Sequence, residues 1–368
     1  MVNHPFKARC YRRLMVRIIR HNILPALAQA GEGSGGARPR AGEPPLVSII
    51  VVSYNTRDMT VACLRSVMAE TRDAPYELLV VDNASNDGSA EAVAELGNEI
   101  HLIALKENIG FARANNLAAR EARGQFLLLL NPDTVVLDGA IDRLTMFATA
   151  NPAAGIWGAR TLFGNGTLDP TSVWARMTPW SMATRAFGLD HAFPASALFN
   201  PEGYGGWKRD SMRAVDIVTG CFLMIRRELW ETLGGFDRAF FMYGEEADLC
   251  LRAAKLGARP LFTPTATIIH YGGASERTQA GKIEKLFRAK VTLMQRHWSR
   301  PARLLGQSLL LLWPASRRLA AMAVGRQTQA AMWREVWQSR SAWLGGYAEA
   351  AVQTTATAPR LGASPVAR

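Results

Sequence analysis

The sequence predicts an α/β protein built on a mostly parallel sheet with helices on both faces. Three observations carry that expectation. Continuous β-branched or leucine-rich runs recur at VSIIVVSYN (47–55), ELLVVDNAS (77–85) and GQFLLLLNPDT (124–134). Such runs suit strands buried on both faces. Helix-like stretches separate them, and that alternation builds parallel sheets. Each run also ends in a polar cluster, SYN, DNASND or NPD. In open parallel sheets, ligands bind beyond the carboxyl ends of the strands.

Taken in order, residues 7–24 set Arg9, Arg12, Arg13, Arg17 and Arg20 among Leu14, Met15, Val16, Ile18 and Ile19. This predicts a basic amphipathic segment over 1–30. GEGSGGARPRAGEPP at 31–45 is a Gly/Pro linker, and the main domain is placed at 46–295. Within it, a helix is expected over 58–70 and a third strand at HLIAL, 101–105. A strand region at 213–229 leads to a helix over 245–257, and LFTPTATIIHYGG (261–273) is a late strand ending at His270. The Gly-, Pro- and Trp-rich stretch 160–210 has no regular period and is expected to form a lid or acceptor loop. Residues 296–345 are basic, Trp-rich and helical in pattern, suited either to a membrane surface or to packing on the body. A disordered tail is expected over 346–368.

Charge is distributed unevenly. The net charge is +12, yet residues 1–45 hold eight Lys/Arg against two Asp/Glu, and 296–368 hold ten Arg against two Glu. The middle is near neutral. Cationic ends mixed with apolar residues fit an anionic membrane better than nucleic acid, for which no recognisable module is present. The cysteines Cys10, Cys63, Cys221 and Cys250 show no CxxC pair or zinc spacing, as in reduced, buried thiols of a cytosolic protein. LLGQSLLLLWPASRRLAAMAV (304–324) is broken by Pro314, Arg317 and Arg318, which argues against a simple span. LMVRIIRHNILPALAQA ends in Ala-x-Ala, but Arg17, Arg20 and His21 interrupt it, which argues against a cleaved signal.

Four clusters bear chemistry. Asn131 and Asp133 flank Pro132 after a strand, two oxygen donors that can face one divalent cation. An ordinary Asn-Pro-Asp turn has the same spelling. Asp82 stands at a strand tip, where a carboxylate accepts from a base N–H or ribose hydroxyl, while Asp87 equally starts the next helix as a cap. GEEADLCLR puts Glu245, Glu246 and Asp248 in one turn. A helix dipole favours all three, and one of them can instead serve as the general base that deprotonates an attacking hydroxyl. His270 closes an apolar strand, either as a structural histidine or as a third metal ligand.

Together and in this order, VSIIVVSYN, VVDNASNDGS, ENIGFARANN, LLLNPDT, TGCFLMIRRELWETLGGFDRAFFMYGEEADLCLR and IIHYGG resemble the motifs of family 2 inverting glycosyltransferases. The likeness spans about 46–295 and is closest to rhamnosyltransferase-like enzymes of bacterial cell-surface polysaccharide assembly. It implies a GT-A nucleotide-sandwich fold, and Mg²⁺ or Mn²⁺ as cofactor. It implies a nucleoside pocket lined by Ser53, Tyr54, Asn55 and Asp82, with Asn108, Gly110 and Asn116 beside it. Asp133 becomes the chief metal ligand, Asn131 a weaker one and His270 a third. Glu246 matches the catalytic base and Glu245 its acidic neighbour, where the family usually has Glu-Asp. The implied reaction moves a sugar, such as rhamnose from dTDP-rhamnose, to a glycan or lipid-linked saccharide on the inner face of the cell membrane. The rival from another class is an inactive nucleotide-sugar-binding scaffold of an envelope glycan assembly. A dinucleotide oxidoreductase is disfavoured because no GxGxxG follows the first strand.

Overall fold

The structure, a computed structural model, describes residues 43–272 and 278–347. The 1–30 segment, residues 31–42 of the linker and the tail from 348 lie outside the described residues. The first half of the body alternates strictly: β1 (Val47–Ser53), α1 (Arg57–Glu70), β2 (Tyr76–Asp82), α2 (Ser89–Ala94), β3 (Ile100–Ala104), α3 (Phe111–Glu121) and β4 (Phe126–Leu130). Then come β5 (Thr134–Leu137), α4 (Ala140–Ala150), β6 (Ile156–Leu162), β7 (Val173–Trp174), α5 (Pro179–Phe187) and α6 (Leu189–Ala192). The body continues with β8 (Arg213–Ala214), β9 (Ile217–Val218), β10 (Phe222–Arg226), α7 (Arg227–Leu233), α8 (Glu245–Lys255) and β11 (Leu261–His270). Four helices follow: α9 (Gln279–His297), α10 (Arg300–Ala323), α11 (Gln327–Gln338) and α12 (Arg340–Leu344).

The main sheet runs β3-β2-β1-β4-β10-β6-β11-β5, with β8 on β11. β1 to β4, β6 and β11 point one way, and β10, β5 and β8 are reversed. The sheet is therefore mostly parallel, as expected. Every residue of β1 and β4 is buried. Alternation then sorts them. Ile49, Val51, Leu128 and Leu130 face α1 and α4 on one side, while Ile50, Val52, Leu127 and Leu129 face α3 and α8 on the other. Burying a branched side chain on each face contributes about 1.5–3 kcal/mol.

Two details of topology build the site. Pro132 interrupts the run expected to be one strand over 124–134. The chain turns there and enters β5, which pairs antiparallel with β11 in the register His270↔Thr134. The reversed β10 brings its amino end, Gly220 and Cys221, to the edge where β1, β2 and β4 end, and Asn131 N–H donates to Cys221 O at 3.1 Å.

The stretch 160–210 is less irregular than its composition predicts. It begins in β6, which lies inside the sheet. Gly158 disguises that strand. A Cβ there would lie 2.3 Å from Val218 Cγ1, so close approach of β9 requires glycine. The remainder holds β7, the capped helix α5 and short turns, and α5 packs against α10.

Candidate active site

Asn131, Asp133 and His270 meet at one point on the carboxyl edge. His270 Nε2 lies 3.3 Å from Asp133 Oδ1 and 3.4 Å from Asn131 Nδ2. The backbone fixes the group, since Tyr271 N–H donates to Asp133 O and Thr134 Oγ1 donates to Asn131 O. Burial works against the Asp133 carboxylate, but the charge and hydrogen bond of His270 and nearby N–H groups outweigh it, so its pKa is lowered. Burial likewise opposes a charged His270, yet contacts with Cys221 and Asp133 hold its pKa well above the usual histidine value. A divalent cation fits this donor set, which offers a carboxylate, an imidazole and an amide whose oxygen a half-turn would present.

Sequence reasoning missed two neighbours of this point. Asp169 Oδ2 lies 4.0 Å from His270 Nδ1, an ion-pair distance too long for a hydrogen bond. Its other oxygen accepts from Thr171 N–H and Oγ1 and fixes its own rotamer. Cys221 is the second. Asp169 sits in the stretch without a period, and only a late strand ending near it in space could have singled it out.

The neighbouring part of the edge is built from the tips of β1 and β2, placed together by the register Ser53↔Asp82. Asp82 is buried. Its Oδ2 accepts from Ser85 N–H, and its Oδ1 has no hydrogen-bond partner. An orphaned buried acceptor at a strand tip leaves room for a ligand N–H or O–H, or an ordered water, to supply the donor. Asn55 adopts φ 54°, and its Oδ1 accepts from Asn86 N–H, so the SYN and DNASND loops are laced together. Tyr54 is half-buried beside it. Ser53 is fully buried in a hydroxyl cluster with Thr56 and Thr60, within the loop's foundation. Asp87 accepts from Arg57 N–H and Ser89 N–H, the first residues of α1 and α2, while Gly88 takes the N-cap position of α2.

Asn108 Oδ1 accepts from Gly110 N–H and Asn83 Nδ2, and Asn83 Oδ1 accepts from Ile109 N–H. Gly110 has φ +84°, and a Cβ there would lie 2.7 Å from Phe241 O, so no other residue fits. Asn116 is placed differently from its neighbours. Its Nδ2 donates to Phe236 O at 2.8 Å and its Oδ1 accepts from Phe236 N–H at 2.9 Å. Both polar atoms are thus spent clamping α3 to the loop that leads to α8. Asn116→Ala strands two buried backbone groups and is expected to cost about 2–4 kcal/mol of stability in urea unfolding. A donor affinity that drops while the unfolding midpoint stays put would contradict this clamp.

Glu245 and Glu246 open α8 behind Gly244, both buried. Glu246 Oε2 accepts from Gly244 N–H at 3.1 Å, and its Cβ stands 3.9 Å from where a Cβ on Gly220 would lie. Burial raises its pKa, while the N–H groups of the helix start restrain the rise. Glu245 has a buried Oε2 without a partner. Burial, and then the charge of Glu246, lift its pKa well above the ordinary value. Burial acts on both carboxyls and the charge of Glu246 acts on Glu245 in addition, so Glu245 is the member pushed further toward its neutral form. Asp248 is tied to Arg252 at 2.6 Å and His297 at 2.8 Å, a structural role.

The raised Glu245 pKa has a consequence for stability. The folded state holds this proton more tightly than the unfolded chain, so stability falls as pH rises from the ordinary glutamate range through the raised folded value. Glu245→Gln cannot ionise. Its thermal midpoint is expected to exceed that of the wild type by about 3–6 °C at neutral pH, the gap closing in acid. Parallel melting curves across pH check this. A constant gap would contradict it.

The strand order and the aligned polar tips define a GT-A nucleotide-sandwich fold. Residues 48–234 match the family model for glycosyl transferase family 2, and the chain belongs to that family. It is 32% identical over 242 residues to the O-antigen biosynthesis protein RfbC of Myxococcus xanthus, covering 64% of this chain and only 18% of that protein. It is 25% identical over 254 residues to the N-acetylglucosaminyl-diphospho-decaprenol L-rhamnosyltransferase of Mycobacterium tuberculosis, covering 61% of this chain and 76% of that one. Among solved structures it resembles the mannosyltransferase PcManGT from Pyrobaculum calidifontis, in complex with GDP-Man and Mn²⁺. That match has a TM-score of 0.52 and 18% identity, and covers 91% of this chain and 99% of the other.

Proposed function

We propose that this chain is a metal-dependent, inverting hexosyltransferase. It moves a sugar from a nucleoside-diphosphate donor to a glycan or lipid-linked saccharide in cell-surface polysaccharide assembly. The observation that carries this is the meeting of Asn131, Asp133 and His270 on the sheet edge that also holds the orphaned Asp82 oxygen and, across Gly220, Glu246. Asp82 accepts from the nucleoside, with Tyr54, Asn55 and Asn108 shaping its loops. Asp133, Asn131 and His270 hold Mg²⁺ or Mn²⁺, which neutralises diphosphate charge on the leaving group. Among the described residues no three His, Cys, Asp or Glu side chains close around one point, and a bound cation would draw its further oxygen ligands from the donor diphosphate or water. Glu246, buried and ionised, takes the proton of the acceptor hydroxyl as that oxygen attacks the anomeric carbon. Glu245, protonated, keeps a second charge away from it.

The names of the relatives favour surface glycans such as O-antigen and, among sugars, rhamnose, for which dTDP-rhamnose is the donor proposed. The Mn²⁺ and GDP-Man of the solved neighbour agree with metal and a nucleotide sugar. An anionic membrane partner and a cytoplasmic place on the inner membrane face belong to the same proposal. Among the described residues no helix is long and apolar enough to cross a membrane. The test is a panel of nucleotide sugars, with Mg²⁺, Mn²⁺ or chelator, read as released nucleoside diphosphate. Metal-dependent release from one donor is expected. Binding of donors without release from any would favour the inactive scaffold, to which the Glu245-Glu246 spelling also points.

A further inference from the structure

We propose that α10 docks this protein onto an anionic lipid surface through its outward leucine face, lying along the interface without crossing it. One side of α10 is buried against the body and its neighbouring helices through Gly306, Leu310, Pro314 and Ala321. The opposite side is apolar too. Leu304, Leu305, Leu312, Leu319 and Met322 are 63%, 52%, 38%, 67% and 49% exposed. At 100° per residue these five fall within about a third of the helix circumference, and Leu305 to Met322 spans about 26 Å. An exposed stripe of this length, apolar but for Ser308, whose hydroxyl bonds back to Leu304 O, marks an interaction surface. Phe187, 64% exposed, stands at the end of α5, which Ser316 ties to α10 through its bond to Ala186 O.

Charge selects the occupant. α10 contains Arg300, Arg303, Arg317 and Arg318 and no acidic residue. Arg317 turns inward to Asp190 at 3.2 Å. Arg300 and Arg318 are five whole turns apart, so they line one edge of the stripe next to Leu304 and Met322. A second copy packed antiparallel on this face across a two-fold axis would set the cationic edge against itself. Lipid phosphates neutralise it. A helix with apolar residues outward, arginines at the border and too little hydropathy to span is the pattern of an interfacial helix.

The structure also reassigns the tryptophans. Trp343 is fully buried against Phe287, Trp313 packs on Phe287, and Arg185 lies over the Trp313 ring. They hold α9 to α12 together, so the lipid contact falls to leucine. The proposal deepens the transferase reading by naming where its acceptor is presented, but its evidence is independent of that reading.

The test is co-sedimentation of the full chain with phosphatidylcholine vesicles, and with vesicles that also contain phosphatidylglycerol, at low and high salt. Preferential binding to the anionic vesicles, weakened by salt, is expected. Leu305→Glu with Leu319→Glu should weaken it about tenfold or more. Arg300→Glu with Arg318→Glu should weaken it about tenfold at low salt and flatten the salt dependence. Both double variants should melt like the wild type and release nucleoside diphosphate normally with a water-soluble acceptor. That second readout separates failed docking from a failed transferase reading. Equal binding to both vesicle types, no binding to either, or undiminished binding of the leucine variant would overturn the proposal. So would a dimer in sedimentation velocity that the leucine variant dissociates, with no vesicle binding.

Discussion

Asp133→Ala is expected to abolish sugar transfer and to weaken metal-dependent donor binding. Asp133 supplies the sole carboxylate of NPD, and its oxygen stands 3.3 Å from His270 Nε2. Removing it leaves an imidazole and an amide, a poor set for a hard divalent cation. The diphosphate leaving group then departs with its charge poorly compensated. Losses at such electrostatic positions run to about 10²–10³-fold. The fold should survive, because Asp133 holds β11 through its backbone carbonyl, which accepts from Tyr271 N–H. Rates of nucleoside diphosphate release and titrations of donor with and without Mn²⁺ check both parts. Turnover near that of the wild type would remove Asp133 from the metal site.

Glu246→Gln is expected to lower turnover by about 10²–10⁴-fold, the usual contribution of a general base, with donor affinity little changed. Gln keeps the volume and still accepts from Gly244 N–H, so the loss reports proton transfer. Glu245→Gln is the control. It preserves a neutral neighbour and should retain most activity. If Glu245→Gln is crippled and Glu246→Gln is not, the roles are exchanged. Glu246→Asp adds a finer reading, since the family usually carries the shorter acid here and retained activity would show that the pocket accepts both lengths. The wild-type rate should fall on acidification through a value above the ordinary glutamate range, because burial raises the Glu246 pKa and only the ionised form acts as base.

The parts of the fold that could be read from sequence were those where one physical force dominates. β1 and β4 are buried on both faces, so their continuous apolar runs have no competing period. SYN and NPD lie where those runs stop, and strand ends in such sheets are where ligands bind. His270 could be placed at a strand end because β11 is a long apolar segment. β6 was hidden because Gly158 and Arg160 break its pattern, and the need for glycine comes from Val218, sixty residues on in the chain. The reversal of β10 between β4 and β6 was equally hidden, because strand direction depends on connections and leaves no mark in composition. Asn116 shows the limit for single residues. Its motif resembles one that lines a nucleoside pocket, but its amide bonds to Phe236 far along the chain. The tryptophans of 296–345 suited membrane or core alike, and only packing distinguishes Trp343 from Leu319.

The most direct measurement is the anomeric configuration of the first product. A nucleotide sugar that the protein consumes is incubated with a saccharide acceptor and Mn²⁺, and the product is followed by proton nuclear magnetic resonance before any equilibration. A single displacement assisted by Glu246 predicts a linkage of opposite configuration to the donor. A product that keeps the donor configuration would contradict the account, because it would require a route in which the acceptor does not attack opposite the leaving diphosphate.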